Sequence, residues 1–102
     1  MMQIHITNAG DKTVMNLSGR FDFNAHRVFK AAYDPILGER NFKNLEIDLS
    51  DIEYLDSSAL GMLMLLRERA MLIGITVVLA KPNKMVEQIL DIANFKKLFT
   101  IS

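Results

Sequence analysis

Two consecutive serines, Ser57 and Ser58, follow Asp56 where a run of apolar residues begins. Side-chain oxygens of these residue types accept hydrogen bonds from the free amides of a helix's first turn, so the triplet predicts a helix N-terminus. The dipole and exposed amides of such an end favour negative charge. Phosphorylation there would add about −1.5 to −2 charge units beside Asp56. The triplet is therefore open to two interpretations, simple capping and a switch that releases a partner shaped for a neutral hydroxyl.

The helix predicted after these serines is apolar on more sides than one packed face requires. Residues 59–66 are all apolar or glycine, whereas a surface helix needs an apolar stripe about 100° wide. Spacing predicts a core face of Ala59, Leu63, Leu66, Ala70 and Ile73. The flanks hold Leu60, Met64 and Met71 on one side and Met62 and Leu65 on the other. These flanks are either covered by neighbouring helices or form an adaptable surface for a protein partner.

The rest of the chain predicts the elements that position these residues. Alternating apolar residues predict strands at 3–7 and 13–18, joined as a hairpin, and a strand at 45–49 followed by a loop at 50–55. The β-branched run 75–80 predicts a strand buried on both faces. Phe95, Leu98, Phe99 and Ile101 predict a last short strand.

Apolar residues at a spacing of three and four predict three helices. The first is capped by Asn24 and ended or bent by Pro35 near Asp34. The second stops at Gly74, and the third opens at Asn83. The order β-β-α-β-α-β-α-β predicts one α/β domain over residues 1–102, a mixed sheet packed with helices.

Composition limits the classes of function. Twelve basic and twelve acidic residues are scattered and cancel, which argues against a nucleic-acid partner. The chain has no cysteine, and its longest apolar run, 59–66, is too short to span a bilayer. The N-terminus does not resemble a secretory signal. We therefore expect a cytoplasmic protein that does not insert into membranes.

Catalytic and cofactor chemistry have little support in the sequence. An acid–base pair could be sought among Asp22, Asp48, Asp51 and Asp56, but nothing in the sequence fixes two of these carboxylates at a catalytic separation. His5 and His26 are isolated and lack metal-ligand spacing, and a Ser57 triad would require one of them. Neither a Walker loop nor a dinucleotide-binding glycine motif occurs. We expect no cofactor, no metal and no enzymatic activity.

Three segments in order resemble the STAS domain family, and in particular its anti-sigma factor antagonists. Residues 56–61, Asp-Ser-Ser-Ala-Leu-Gly, after 45–50, Leu-Glu-Ile-Asp-Leu-Ser, resemble the family signature. Residues 17–22, Leu-Ser-Gly-Arg-Phe-Asp, resemble its early turn, and 83–99 its closing helix and tail. The resemblance covers essentially the whole chain and implies the STAS fold.

The resemblance also implies a mechanism. Antagonists of this type bind an anti-sigma factor that is a serine kinase, are released when that kinase phosphorylates the serine at the position of Ser57, and are restored by a PP2C-type phosphatase. Asp22 and Asp56 would flank the phosphoacceptor and Ser58 would support the loop. With Ala59, Leu60, Gly61, Met62 and Met64 they form the expected partner-binding set. Ala59 departs from the family's common glycine, which stiffens the loop and leaves the exact partner open.

Two other hypotheses remain beside this one. The chain could be a constitutive STAS subunit of a lipid-transport ATPase complex, or another signalling scaffold, without phosphorylation. An enzyme is the third class. The sequence is also compatible with a weak homodimer.

Overall fold

In the computed structural model, which describes residues 2–39 and 41–102, five strands and three helices follow the predicted order. The strands are β1 (Gln3–Ala9), β2 (Lys12–Phe21), β3 (Asn44–Leu55), β4 (Thr76–Ala80) and β5 (Thr100–Ile101). The helices are α1 (His26–Glu39), α2 (Ser57–Leu72) and α3 (Lys84–Ile92). Short 3-10 turns at Phe23–Ala25 and Phe95–Lys97 precede α1 and β5.

The strands form one mixed sheet in the order β1-β2-β3-β4-β5. The β1–β2 hairpin is antiparallel, and the remaining neighbours are parallel. Each parallel connection contains one helix. Because such crossovers are right-handed and all step in the same direction across the sheet, the three helices lie on one face. The α/β fold predicted from the sequence is confirmed.

The two faces of the sheet differ in burial. Met15, Ile47 and Leu79 pair in one row across β2, β3 and β4 and are fully buried beneath the helices. In the neighbouring row, Asn16 and Asp48 are only half-buried. On the same face of β4, Ala80 is buried, Val78 is half-buried and Thr76 is exposed, so the prediction that the fourth strand is buried on both faces holds only at its carboxyl end.

The first helix departs from the sequence prediction at its start, and Pro35 does not end it. Asp22, rather than Asn24, caps the turn that leads into it, since the Asp22 carboxylate accepts from the Asn24 amide at 3.0 Å. The helix also continues past the exposed Pro35 to Glu39. Beyond the proline, Ile36 and Leu37 are buried in the core. Each such burial is worth about 1.5–3 kcal/mol, which together offset the roughly 3 kcal/mol cost of an interior proline.

Strand β3 runs six residues beyond its predicted end, through the segment expected to be a loop. Its pairing with β2 shifts twice, from Asn16↔Asp48 to Ser18↔Asp51 and again before Arg20↔Tyr54. Each shift places one extra residue in β3, which is a β-bulge. Buried residues there recur at every third position, at Leu49, Ile52 and Leu55, so strand alternation is lost although the strand continues.

Candidate functional site

Three polar side chains cap the helices at the carboxyl ends of three adjacent parallel strands. The Asp56 carboxylate accepts from the Ala59 amide at 2.9 Å, and the Asn83 amide oxygen accepts from the Val86 amide at 2.9 Å. Asp22 caps the turn before α1 in the same way. We call Asp22, Asp56 and Asn83 the capped edge. The capping role predicted for Asp56 is confirmed.

Hydrogen bonds between neighbouring strands hold the capped edge together. The Asp56 amide donates to the Phe21 carbonyl at 3.2 Å, which fixes the end of β3 against the end of β2. The Asn83 side-chain nitrogen donates to the Ile52 carbonyl at 2.9 Å, which ties the start of α3 to β3. The start of α2 is therefore positioned from both sides.

Ser57 is the first residue of α2, and its side chain is exposed, while Ser58 is half-buried. The Ala59 amide is taken by the Asp56 carboxylate, and the Leu60 amide donates to the Asp56 carbonyl at 3.2 Å. The amides of Ser57 and Ser58 have no acceptor within the helix, as is usual for a first turn. The exposed hydroxyl of Ser57 thus lies at the positive end of a sixteen-residue helix.

An arginine and two aromatic side chains adjoin the aspartates of the capped edge. The Arg20 guanidinium lies 3.8 Å from the Asp22 carboxylate and 4.7 Å from the centre of the Tyr54 ring. Phe23 is 73% exposed in the turn that contacts α2. Neither Phe23 nor Tyr54 belongs to the site predicted from the sequence. A signal was present for Phe23, since an aromatic residue stands between the polar residues Asp22 and Asn24.

The exposed residues of α2 form a stripe that begins at Ser57. It consists of Ser57, Gly61, Leu65, Glu68, Met71 and Leu72. Leu65 is 44% and Leu72 86% exposed, so part of the helix's apolar surface is uncovered. A Cβ added at Gly61 would meet no heavy atom within 4 Å. The helix backbone is therefore open to a partner at this position of the stripe.

The remaining residues of the predicted partner-binding set differ in exposure. Leu60 and Met64 are half-buried on the side of the stripe, whereas Ala59 and Met62 belong to the core. Met62, at 8% exposed, can offer a partner little surface. Ala59, Leu63, Leu66 and Ala70 form the core face as predicted, and Ile73 is half-buried. The expected helix stop is confirmed by the left-handed Gly74, at φ +76°.

The aspartates considered for acid–base catalysis do not all lie at the capped edge. Asp48 lies on the half-buried face of the sheet, where it accepts from the Ser50 amide at 2.9 Å and the Ser50 hydroxyl at 2.7 Å. Burial raises the pKa of Asp48, but these hydrogen bonds outweigh it and leave the pKa below its ordinary value. An acid held ionised in this way is an acceptor rather than a proton donor. Within residues 2–39 and 41–102, no three His, Asp or Glu side chains cluster as a metal site would require.

Comparison with known proteins identifies the family to which this fold and its capped edge belong. The model described as Mlab, STAS domain matches residues 4–100. STAS-domain containing protein PA14_20770 of Pseudomonas aeruginosa (strain UCBPP-PA14) is 43% identical over 94 residues, which are 91% of this chain and 90% of that protein. The chain therefore belongs to the STAS domain family.

Solved structures share the fold. TM1081 of Thermotoga maritima superposes with a TM-score of 0.85 at 22% identity, over 96% of this chain and 84% of that one. The unphosphorylated anti-sigma factor antagonist SpoIIAA superposes with a TM-score of 0.73 at 13% identity, over 100% and 87%. Among the helices of the described residues, none is both long and apolar enough to cross a membrane.

Proposed function

We propose that this STAS domain is an anti-sigma factor antagonist that binds an anti-sigma factor with serine kinase activity through the stripe of α2 and the capped edge. Phosphorylation of Ser57 releases it, and a PP2C-type phosphatase restores binding. The observation that carries the proposal is the exposed Ser57 hydroxyl at the first position of α2, in line with the uncovered Leu65. A kinase can reach this hydroxyl without any unfolding of the domain.

Electrostatics explain how one modification can release a partner and leave the fold intact. A phosphate on Ser57 would lie at the helix N-terminus, where the two free amides and the helix dipole favour an anion. The domain therefore tolerates the new charge. A partner surface that fits a neutral hydroxyl beside Asp56 and Asp22 would instead meet about two further negative charges in a closely packed contact.

The related structures support this mechanism by analogy. SpoIIAA has been solved in a phosphorylated as well as an unphosphorylated form. In the present chain, the serine expected to carry the modification is at the surface, and the half-buried Ser58 beside it is less accessible.

A second candidate function is a constitutive subunit of a lipid-transport ATPase complex. The matching family model leaves room for this alternative, since its description, Mlab, STAS domain, does not name an anti-sigma factor antagonist. In this alternative the stripe of α2 is permanently covered by the partner subunit, and the charge at Ser57 has no regulatory role.

Affinity capture from a lysate of the source organism separates the two functions. The bait proteins are the unmodified chain, Ser57→Ala, Ser57→Asp and the control Thr76→Asp. The control replaces a hydroxyl side chain by a carboxylate at an exposed residue, at the amino end of β4. We expect a serine kinase to be retained by all but Ser57→Asp. Retention of an ATPase subunit by all four baits would reject the antagonist and support the constitutive subunit.

A further inference from the structure

The outer edge of β1 has none of the features that normally protect an exposed strand. Its seven residues, Gln3–Ala9, pair with β2 without a register shift, so the strand contains no bulge. It contains no proline, lysine or acidic residue, although edge strands are usually blunted by such features. All of its residues except the half-buried Ile4 are exposed. The free backbone groups of this edge can therefore pair with another strand.

The side chains of β1 make the edge complementary to itself. Ile4 and Ile6 lie opposite the buried Leu17 and Met15, so they point to the helix-covered face, yet Ile6 is 42% exposed. An antiparallel copy centred on His5 would place each Ile4 opposite an Ile6, and each Gln3 opposite a Thr7. Such pairs of β-branched residues stabilise adjacent strands, and β1 contains no Lys, Arg, Asp or Glu that would oppose the contact.

The other edge of the sheet favours a closed dimer over an open chain of copies. β5 has only two residues, so it offers little length for a head-to-tail contact with β1. A contact of β1 with β1 about a two-fold axis uses the same surface on both copies and closes at two subunits.

From this geometry we infer that β1 is a homodimerisation edge, through which two copies join their sheets by antiparallel pairing centred on His5. A typical stable interface buries roughly 800 Å² per partner, and a contact made through one seven-residue strand offers little area, so we expect the dimer to form weakly and reversibly. β1 lies two strands away from β3, which leads into α2, so both copies keep Ser57 and the stripe of α2 free. The inference does not depend on the proposed function.

Disulfide trapping tests the register directly, because the chain has no cysteine of its own. Directly opposite residues in an antiparallel pair have Cα atoms about 4.5–5.5 Å apart, within the range a disulfide requires. We expect His5→Cys to form a cross-linked dimer under mild oxidation. The control Gln3→Cys should give at least about tenfold less cross-linked dimer. In the proposed register, the two introduced cysteines would lie about 14 Å apart along the strands, too far for a disulfide. Equal cross-linking of the two variants would overturn the inference.

A second measurement uses an intact His5. In sedimentation equilibrium at increasing concentration, we expect the unmodified chain to dimerise and Ile6→Lys to weaken dimerisation at least about tenfold, because a lysine opposes edge pairing. Gln88→Lys, which adds the same charge on the exposed surface of α3, should dimerise like the unmodified chain. A strictly monomeric unmodified chain, or an Ile6→Lys that dimerises equally well, would contradict the proposal.

Discussion

At the scale of single residues, Asp56 links the stability of the domain to the proposed switch. Its carboxylate caps α2 through the Ala59 amide, while its own amide donates to the Phe21 carbonyl. The side chain is thus already committed to a hydrogen bond within the domain. Its negative charge nevertheless lies next to the hydroxyl that we propose is phosphorylated.

We expect Asp56→Ala to lower the free energy of unfolding by about 1 kcal/mol, because the Ala59 amide loses its acceptor. Asp56→Asn keeps an oxygen acceptor and should remain within about 0.5 kcal/mol of the unmodified chain. Urea denaturation monitored by circular dichroism measures both. An Asp56→Ala variant as stable as Asp56→Asn would show that this cap does not stabilise α2.

Phe23 is the most exposed aromatic side chain beside the capped edge, at 73%. Since exposed residues contribute little to folding, Phe23→Ala should change the free energy of unfolding by less than about 0.5 kcal/mol. If the partner covers this edge, the same variant should weaken partner binding at least about tenfold, as truncation of an aromatic anchor does. Ile92→Ala, at a position 84% exposed on α3, is the matched control and should bind normally. Equal binding by both variants would remove Phe23 from the interface.

At the scale of elements, Asn83 ties α3 to the bulged part of β3. Asn83→Ala removes both its cap and its bond to the Ile52 carbonyl, whereas Asn83→Ser keeps a capping oxygen but has no side-chain nitrogen to reach Ile52. We expect losses of roughly 2 kcal/mol and 1 kcal/mol, respectively, in the free energy of unfolding. Chemical denaturation of the two variants checks that Asn83→Ala loses more stability than Asn83→Ser. Equal losses would mean that the hydrogen bond to β3 contributes nothing to the free energy of unfolding.

The contact between α1 and α2 predicts a dependence on pH. Lys30, which donates to the Asp34 carboxylate at 2.6 Å, together with Arg69 of α2, lowers the pKa of Asp34 below its ordinary value of 3.8. An acid with a lowered folded-state pKa stabilises the fold above its unfolded-state pKa, and this contribution is lost as the pH falls through the folded-state value.

Asp34→Asn should therefore lower the melting temperature slightly at pH 7 and make no difference near pH 2. Thermal unfolding measured across this range is the test, with Asp91→Asn as the comparison, since it removes a surface ion pair between α3 and Lys96 in the turn that follows. A difference between Asp34→Asn and the unmodified chain that grows toward low pH would contradict the assigned sign.

How far each element could be predicted depended on the regularity of its pattern. The cap at Asp56 and four of the five predicted core residues of α2, Ala59, Leu63, Leu66 and Ala70, follow from local spacing and were predicted correctly. The extension of β3 through residues 50–55 was missed because two bulges replace alternation with a spacing of three, and only the pairing with β2 keeps the strand intact. The continuation of α1 past Pro35 likewise depends on tertiary burial of Ile36 and Leu37.

At the scale of the whole molecule, the parallel strand order places three helix N-termini along one edge of the sheet. The side chains of that edge come from segments far apart in the sequence, so the proximity of Asp22 to Asp56 could be inferred only from the family resemblance. The exposure of Phe23 and the burial of Met62 depend on how turns and helices pack, which local patterns do not specify.

The central claim is that charge at Ser57 controls the binding of a partner while the fold is unchanged. The most direct test is calorimetric titration of the captured kinase with the chain before and after phosphorylation at Ser57, the site being verified by mass spectrometry. We predict that the modified chain binds at least about tenfold more weakly, a difference of about 1.4 kcal/mol, with an unaltered circular dichroism spectrum. Equal affinity of the two forms, or modification at another residue with Ser57 left untouched, would contradict the account.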